Sequence, residues 1–240
     1  KNLVKEKIHL ICAHGKGNAG YSIILDTLEH DRTILTYKGV NDQLSIKEVP
    51  LKKLKTKWLY FGAMMGQSFK TLEELADFAR KKNIKIAFNP STYLAEKGPI
   101  YLRKILNNTE LLVLNKEEAC LLAGNEPIEE VLFKLRGLGP KIVAVTDGKN
   151  NIYVIDKEHI YTAKPPKVKV VDATGAGDAF ASSFLSGMIR KNNVEFAIRL
   201  GLANSISVIK YYGAKNILLS YKEALNSVKK LKIKVARKKT

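Results

Sequence analysis

Cysteine is almost absent from this chain. Cys12 and Cys120 stand far apart in 240 residues, with no Cys-x-x-Cys spacing. That argues against a disulfide framework or a zinc site and fits reduced thiols in a cytoplasmic protein. No apolar run approaches the ~18 residues needed to cross a bilayer, and no signal peptide is visible, so no membrane partner is expected. Pro/Gly/Ser-rich linkers, low-complexity tracts and internal repeats are missing, so one domain over residues 1–240 is expected. Acidic residues are scarce: 23 Asp and Glu face 41 Lys and Arg, a formal charge of +18. That sign raises nucleic acid as a partner. The basic residues, however, are spread along the chain, with their densest run in a basic tail at about residues 230–240. No aromatic and basic interleaving suggests a base-stacking platform. A solvated, lysine-rich surface is the simpler reading, and it would steer anionic nucleotides toward a basic cleft.

What the chain does have is alternation. Lys7 to Ala13 reads as a strand, and Gly15-Lys16-Gly17-Asn18 as a loop or hairpin. Tyr21–Asp26 and Arg32–Tyr37 are β-rich runs joined by the polar segment Thr27–Asp31, a hairpin signal. From Trp58 strands and helices alternate. Strands are expected at Trp58–Gly62, Ile84–Phe88, Leu111–Leu114 and Lys141–Thr146, with a second hairpin over Asn151–Asp156 and His159–Ala163. Helices are expected over Phe69 to about Lys82, Ile100–Leu106, Glu117–Ala123 and Ile128–Leu138, then over residues 176–190, 194–211 and 221–231. Such alternation predicts an α/β fold with a mainly parallel sheet covered on both faces. Ligands then gather at the carboxyl ends of the strands.

The most informative stretch follows Lys167-Val168-Lys169-Val170-Val171, a run that reads as a strand. It is Asp172-Ala173-Thr174-Gly175-Ala176-Gly177-Asp178-Ala179-Phe180, and it leads into a helix with an apolar face. At a helix start several N–H groups lack intrahelical partners, and the macrodipole end is positive. Small residues at 175–177 let an anion come close. Asp178, in the first turn, is poised to remove a proton while that anion pocket holds developing charge. An Asp early in a helix can equally be a dipole-stabilising residue. A Walker loop is excluded because Asp178-Ala179-Phe180 follows the glycines instead of Lys-Ser/Thr. A dinucleotide fingerprint is excluded by Phe180, where a small residue is needed.

The whole string resembles the second signature of the ribokinase-like (PfkB) carbohydrate kinases. The resemblance implies a three-layer α/β/α sandwich, ATP and Mg²⁺ as cofactors, Asp178 as catalytic base and an anion hole at Gly175, Ala176 and Gly177. Asn115 and Glu118 alone read as an N-cap with its capping-box partner. Their spacing also suits a hydrated Mg²⁺, and they are similar to the family's Asn-x-x-Glu motif, which holds Mg²⁺ through water. Thr146-Asp147-Gly148 resembles the Thr-x-Gly turn of the family, which implies nucleotide contacts at Thr146 and Gly148. Asn115 and Asn204 are implied beside the nucleotide, and Asn41, in a segment similar to Gly-Ala-Asn-x-x-Leu, beside the acceptor. Asn89-Pro90-Ser91 resembles the Asn/Asp-Pro segment after the corresponding strand. Asp172 matches a position that holds a monovalent cation such as K⁺ in some relatives.

The resemblance runs from about Asn18 to about Lys229. Relatives carry further residues upstream, and this chain starts at Lys1 rather than Met. An N-terminally truncated kinase domain is therefore expected, with the lid hairpin partly or wholly missing and the sugar pocket incomplete. The expected activity is transfer of the γ-phosphate of ATP to a sugar hydroxyl. A nucleoside acceptor is the alternative, and a non-catalytic nucleic-acid or regulatory binder is the second alternative. The implied partner is a small molecule, and a homodimer is compatible with the family.

Overall fold

The computed structural model describes residues 6, 8–13, 15–26 and 32–240. The chain divides into two units, Lys1–Thr56 with Met64–Phe78 and Lys57–Ala63 with Ala79–Thr240.

In the first unit, β1 (Tyr21–Asp26) and β2 (Arg32–Tyr37) form the expected antiparallel hairpin, in register from Tyr21↔Tyr37 to Asp26↔Arg32. Its connection, Thr27–Asp31, lies outside the described residues. Tyr21, Ile23, Leu25, Leu35 and Tyr37 are exposed. Short 3-10 turns follow at Gly39–Asp42, Ile46–Glu48 and Leu51–Lys53. Helix α1 (Gly66–Lys81) ties the chain before it down. Ser68 Oγ donates to the Asn41 carbonyl at 2.7 Å and accepts from the Leu44 N–H at 2.8 Å. Thr71 Oγ1 donates to the Leu44 carbonyl at 2.7 Å. The strand expected over Lys7–Ala13 is absent from residues 8–13, which run irregular and exposed. Lys7 lies outside the described residues. The apolar side chains of Ile8, Leu10 and Ile11 gave the pattern, but no second strand pairs with them among the described residues.

The second unit is built on a seven-stranded sheet ordered β3-β4-β5-β6-β7-β8-β9. Its first four strands are β3 (Trp58–Phe61), β4 (Lys85–Phe88), β5 (Leu111–Asn115) and β6 (Ile142–Thr146). They pair in parallel. Then β7 (Ile152–Ile155), β8 (His159–Ala163) and β9 (Val235–Lys239) pair antiparallel. Five of the seven strands thus share one direction. The crossovers carry α2 (Ser91–Ala95), α3 (Gly98–Leu106), α4 (Lys116–Ala123) and α5 (Ile128–Gly137).

Three helices follow the meander: α6 (Ala176–Lys191), α7 (Val194–Val208) and α8 (Tyr221–Leu231). Pleating assigns the faces, because successive side chains point to opposite sides of a sheet. Ala87, Leu111, Val113, Ala144, Ile152, Val154, Tyr161 and Ala163 share one buried cluster with Phe180, Phe184, Ala197 and Ile198 of α6 and α7. The alternate residues Ile86, Phe88, Leu112, Leu114, Val143 and Val145 are fully buried on the opposite face. There α3, α4 and α5 bury Leu102, Ile105, Leu106, Leu122, Val131, Leu132 and Leu135. The result is three layers, α/β/α, as expected. Both faces being covered explains why these strands read as continuous apolar runs. Close approach of α6 and α7 needs Gly187 and Gly201. A Cβ on Gly187 would lie 2.7 Å from the Ala197 Cα, and one on Gly201 2.8 Å from the Phe180 ring.

Two expectations need correcting. Lys167–Val171 is no strand: it runs irregular, and the Val171 N–H donates to the Ile209 carbonyl at 2.8 Å instead of joining a ladder. Its alternation of basic and β-branched residues mimics a strand, but the place beside β8 is taken. The taker is the basic tail, whose Val235–Lys239 forms β9 in register from Val235↔Ala163 to Lys239↔His159. Val235 packs on the α6–α7 cluster. Lys238 Nζ pairs with Glu129 at 2.5 Å and Arg237 with Glu195 at 3.7 Å. A lysine-rich outer strand also discourages further edge pairing.

Candidate active site

The turn before α6 is fixed by one glycine. Gly175 is its N-cap in the left-handed region, at φ +81°, which glycine enters without steric cost. Added bulk is forbidden there as well: a Cβ would sit 2.2 Å from the Ala214 carbonyl oxygen. The loop bearing Ala214 is held to the turn from the other side by Asp172. Its Oδ1 accepts the Thr174 N–H at 2.9 Å and its Oδ2 the Gly213 N–H at 3.0 Å. Asp172, expected as a monovalent-cation ligand, braces the turn to the later loop through these two hydrogen bonds.

At the helix start the Ala176 N–H, expected in the anion hole with those of Gly175 and Gly177, turns back to the Ala173 carbonyl at 3.2 Å. The N–H groups of Gly177 and Asp178 come next, and helix geometry gives them no intrahelical carbonyl. The Asp178 side chain and Gly177 are exposed. Among the described residues, a Cβ on Gly177 would meet nothing within 4 Å. A pair of donors, an open approach and a carboxylate thus share the positive end of one helix.

The sheet brings other groups to this end. Val113 and Ala144 face α6 and α7, so Asn115 and Thr146, two residues on along β5 and β6, lie on the same face at the strands' carboxyl ends. They are register partners. Asn115 caps α4 in a reciprocal box: its Oδ1 accepts the Glu118 N–H at 2.8 Å, and its own N–H donates to Glu118 Oε2 at 3.0 Å. The Thr92 hydroxyl reaches Glu118 Oε1 at a long 3.5 Å. Thr92 is brought there by an abrupt bend, with Pro90 followed by Ser91 at φ +56° and the Ser91 N–H donating to Asn89 Oδ1 at 3.2 Å. Glu118 is buried. Burial is the main force raising its carboxyl above the usual 4.5, with help from the charges of Glu117 and Asp178. The Asn115 N–H and the Thr92 hydroxyl pull the other way.

A divalent cation suits this corner. Among the described residues no three His, Cys, Asp or Glu side chains form a metal cage. Mg²⁺ keeps several waters and needs few protein ligands. A desolvated carboxylate with one weakly engaged oxygen and a neighbouring amide match that demand.

Gly148, after Thr146, has φ +51° and nothing within 4 Å of a built Cβ, so the backbone there is open. Between Thr146 and Gly148, Asp147 pairs with Lys116 at 3.2 Å. The other candidates are placed differently. Asn204, expected at the nucleotide, is buried at 6% exposure. Its Nδ2 donates to Ser183 Oγ at 2.7 Å, and its Oδ1 accepts the Leu219 N–H at 2.9 Å. It pins the loop after α7 instead of facing a cleft. Asn41 belongs to the first unit, in the 3-10 turn Gly39–Asp42, with an exposed side chain.

Sequence reasoning passed over Tyr60, near the end of β3. Burial pushes its phenol up to about 12, and the negative charge of Asp178 adds to the effect. Only the order of the strands could have revealed that proximity.

Comparison with known proteins gives this geometry a context. The pfkB family carbohydrate kinase model matches residues 4–220. An uncharacterized sugar kinase of Archaeoglobus fulgidus is 30% identical over 205 residues, 83% of this chain and 80% of the relative. A cytidine kinase of Thermococcus kodakarensis is 35% identical over 144 residues, 58% of this chain and 51% of the relative. Among solved structures, a probable sugar kinase protein from Rhizobium etli superposes with a TM-score of 0.85 at 22% identity, covering 95% of this chain and 72% of that one.

Proposed function

We propose, because this chain belongs to the pfkB family of carbohydrate kinases, that it contributes the catalytic end of an ATP-dependent kinase for a small hydroxyl-bearing acceptor. The observation that carries the proposal is the start of α6, where a left-handed Gly175 caps the helix, the N–H groups of Gly177 and Asp178 lack intrahelical partners and the carboxylate of the same turn is exposed. In this reading Asp178 accepts the proton of the acceptor hydroxyl. The freed oxygen bonds to the γ-phosphorus of ATP, and the bond to the bridging oxygen breaks to leave ADP. The donors at 177 and 178 take up charge that develops on the transferring group. Asn115 and Glu118 would hold Mg²⁺ through water. When bound, that ion screens the phosphate charges. Thr146 and the open backbone at Gly148 would contact the nucleotide.

The acceptor is a sugar in the first reading, supported by the sugar kinase that matches 83% of the chain. A nucleoside is the second, favoured by the higher identity, over a shorter span, to a cytidine kinase. A panel of hexoses, ribose, ketodeoxy sugars and nucleosides, assayed with the full-length gene product, separates them. Asp178→Asn tests the base. Turnover should fall by several orders of magnitude while nucleotide binding persists, since removing a positioned base costs about 10²–10⁴-fold. Turnover near that of the unaltered enzyme would remove Asp178 from the mechanism.

A further inference from the structure

The pleat of β3 carries consequences beyond the groups already assigned. Trp58 packs against the cluster that lines the α6–α7 face. Tyr60, two residues on, projects from the same face one step nearer the carboxyl end of β3. Its register partner on β4, Ala87, belongs to that cluster. The helix entering this face at the strands' carboxyl ends is α6, with Asp178 in its first turn. The Asp178 charge is felt at the Tyr60 phenol. Tyr60 nonetheless keeps 43% of its surface exposed, while the next residue, Phe61, keeps 3%. No hydrogen bond occupies the Tyr60 hydroxyl among the described residues, and none joins it to Asp178. A half-exposed aromatic ring with a free donor, on the face that α6 enters and within electrostatic reach of its exposed carboxylate, is poor packing and good recognition.

We infer that Tyr60 is an acceptor-positioning residue, whose hydroxyl donates a hydrogen bond to an acceptor oxygen adjacent to the hydroxyl that Asp178 deprotonates. This rests on the kinase reading and adds one requirement to it: the acceptor carries a second oxygen next to the phosphorylated position. The phenol suits a donor's part because burial and the neighbouring carboxylate keep it protonated at any working pH. It does not suit the part of base, which falls to Asp178.

The test uses the full-length gene product and the best acceptor from the substrate panel. Tyr60→Phe keeps the ring and removes only the donor. The KM for the acceptor should rise about three- to ten-fold, the worth of one neutral hydrogen bond, with kcat and the KM for ATP within about two-fold. An acceptor analogue with hydrogen in place of the adjacent hydroxyl should lose affinity with the unaltered enzyme and lose little more with Tyr60→Phe, because the two changes delete the same contact. An unchanged acceptor KM in Tyr60→Phe overturns the inference and leaves the kinase reading standing. A fall in kcat alone also overturns it, because the hydroxyl would then act through Asp178. If no acceptor in the panel is phosphorylated by the unaltered enzyme, the kinase reading fails first and takes this inference with it.

Discussion

Replacing Gly177 by alanine separates a binding role from a folding role at the start of α6. Gly177 is a helical residue with no positive φ, and a methyl group there would touch nothing within 4 Å. Alanine is the better helix former by about 0.5–1 kcal/mol, because glycine loses more backbone freedom on folding. For a chain of this size each kcal/mol moves the midpoint of thermal unfolding by about 2–4 °C. Gly177→Ala should therefore unfold at the same temperature or roughly 1–4 °C higher. No described residue meets the new methyl, so its effect is read on a ligand. If a phosphoryl group docks on the N–H groups of Gly177 and Asp178, the methyl holds it off, and a displacement near 1 Å costs on the order of 10²-fold in rate. The expected variant is at least as stable as the parent and about 100-fold slower, read by coupled ADP release beside a thermal melt. Gly175→Ala gives the contrast. It combines φ +81° with a Cβ 2.2 Å from the Ala214 oxygen, so stability and turnover should fall together. Full activity in Gly177→Ala would mean that no phosphate passes over this turn.

Two further substitutions probe buried polar side chains. Glu118→Gln tests the buried carboxyl. The raised folded-state value means the native protein binds more protons than the unfolded chain above pH 4.5, so its stability falls as pH rises through that window. Glutamine keeps an oxygen for the cap without the charge. The variant should melt no lower than the parent at pH 7, with the gap closing toward pH 4.5, and should need more Mg²⁺ for half-maximal turnover. A lower melting temperature at pH 7 would contradict the desolvation argument. Asn204→Ala removes two internal hydrogen bonds and strands the Leu219 N–H, a loss of about 2–3 kcal/mol and roughly 5–10 °C. An unchanged melt with a raised KM for ATP would instead return Asn204 to the nucleotide.

The parallel half of the sheet was legible because strands buried on both faces, such as Leu111–Leu114 and Val143–Val145, must be apolar throughout, and runs this short are strand-length rather than helix-length. The α6 turn was legible because its requirements are local: a left-handed residue, small neighbours and an acid, all within four positions. What escaped is tertiary. Val235–Lys239 carries the charge of a tail and becomes a strand only because β8 offers an edge to which Val235 can dock. Lys167–Val171 has the alternation of a strand, but β9 fills the place beside β8. The five-residue α2 begins at Ser91, whose φ of +56° no sequence pattern announces. The surroundings of Asn204 and Tyr60 likewise depend on residues 21 and 118 positions away, Ser183, which Asn204 bonds, and Asp178, whose charge acts on Tyr60.

At Asn115 and Glu118 the helix-cap and metal-site readings of one motif turn out to be compatible. The reciprocal cap locks Glu118 Oε2 onto the Asn115 N–H and stops the carboxylate from rotating. That lock leaves Oε1 with only the long Thr92 contact, in a buried setting that resists its charge. A carboxylate held in one orientation, short of solvent and short of donors, gains more from a nearby hydrated cation than a freely moving one would, because no conformational freedom remains to be lost when the ion arrives. In the proposed site the cap would thus hold Glu118 in one orientation as an outer ligand for the ion.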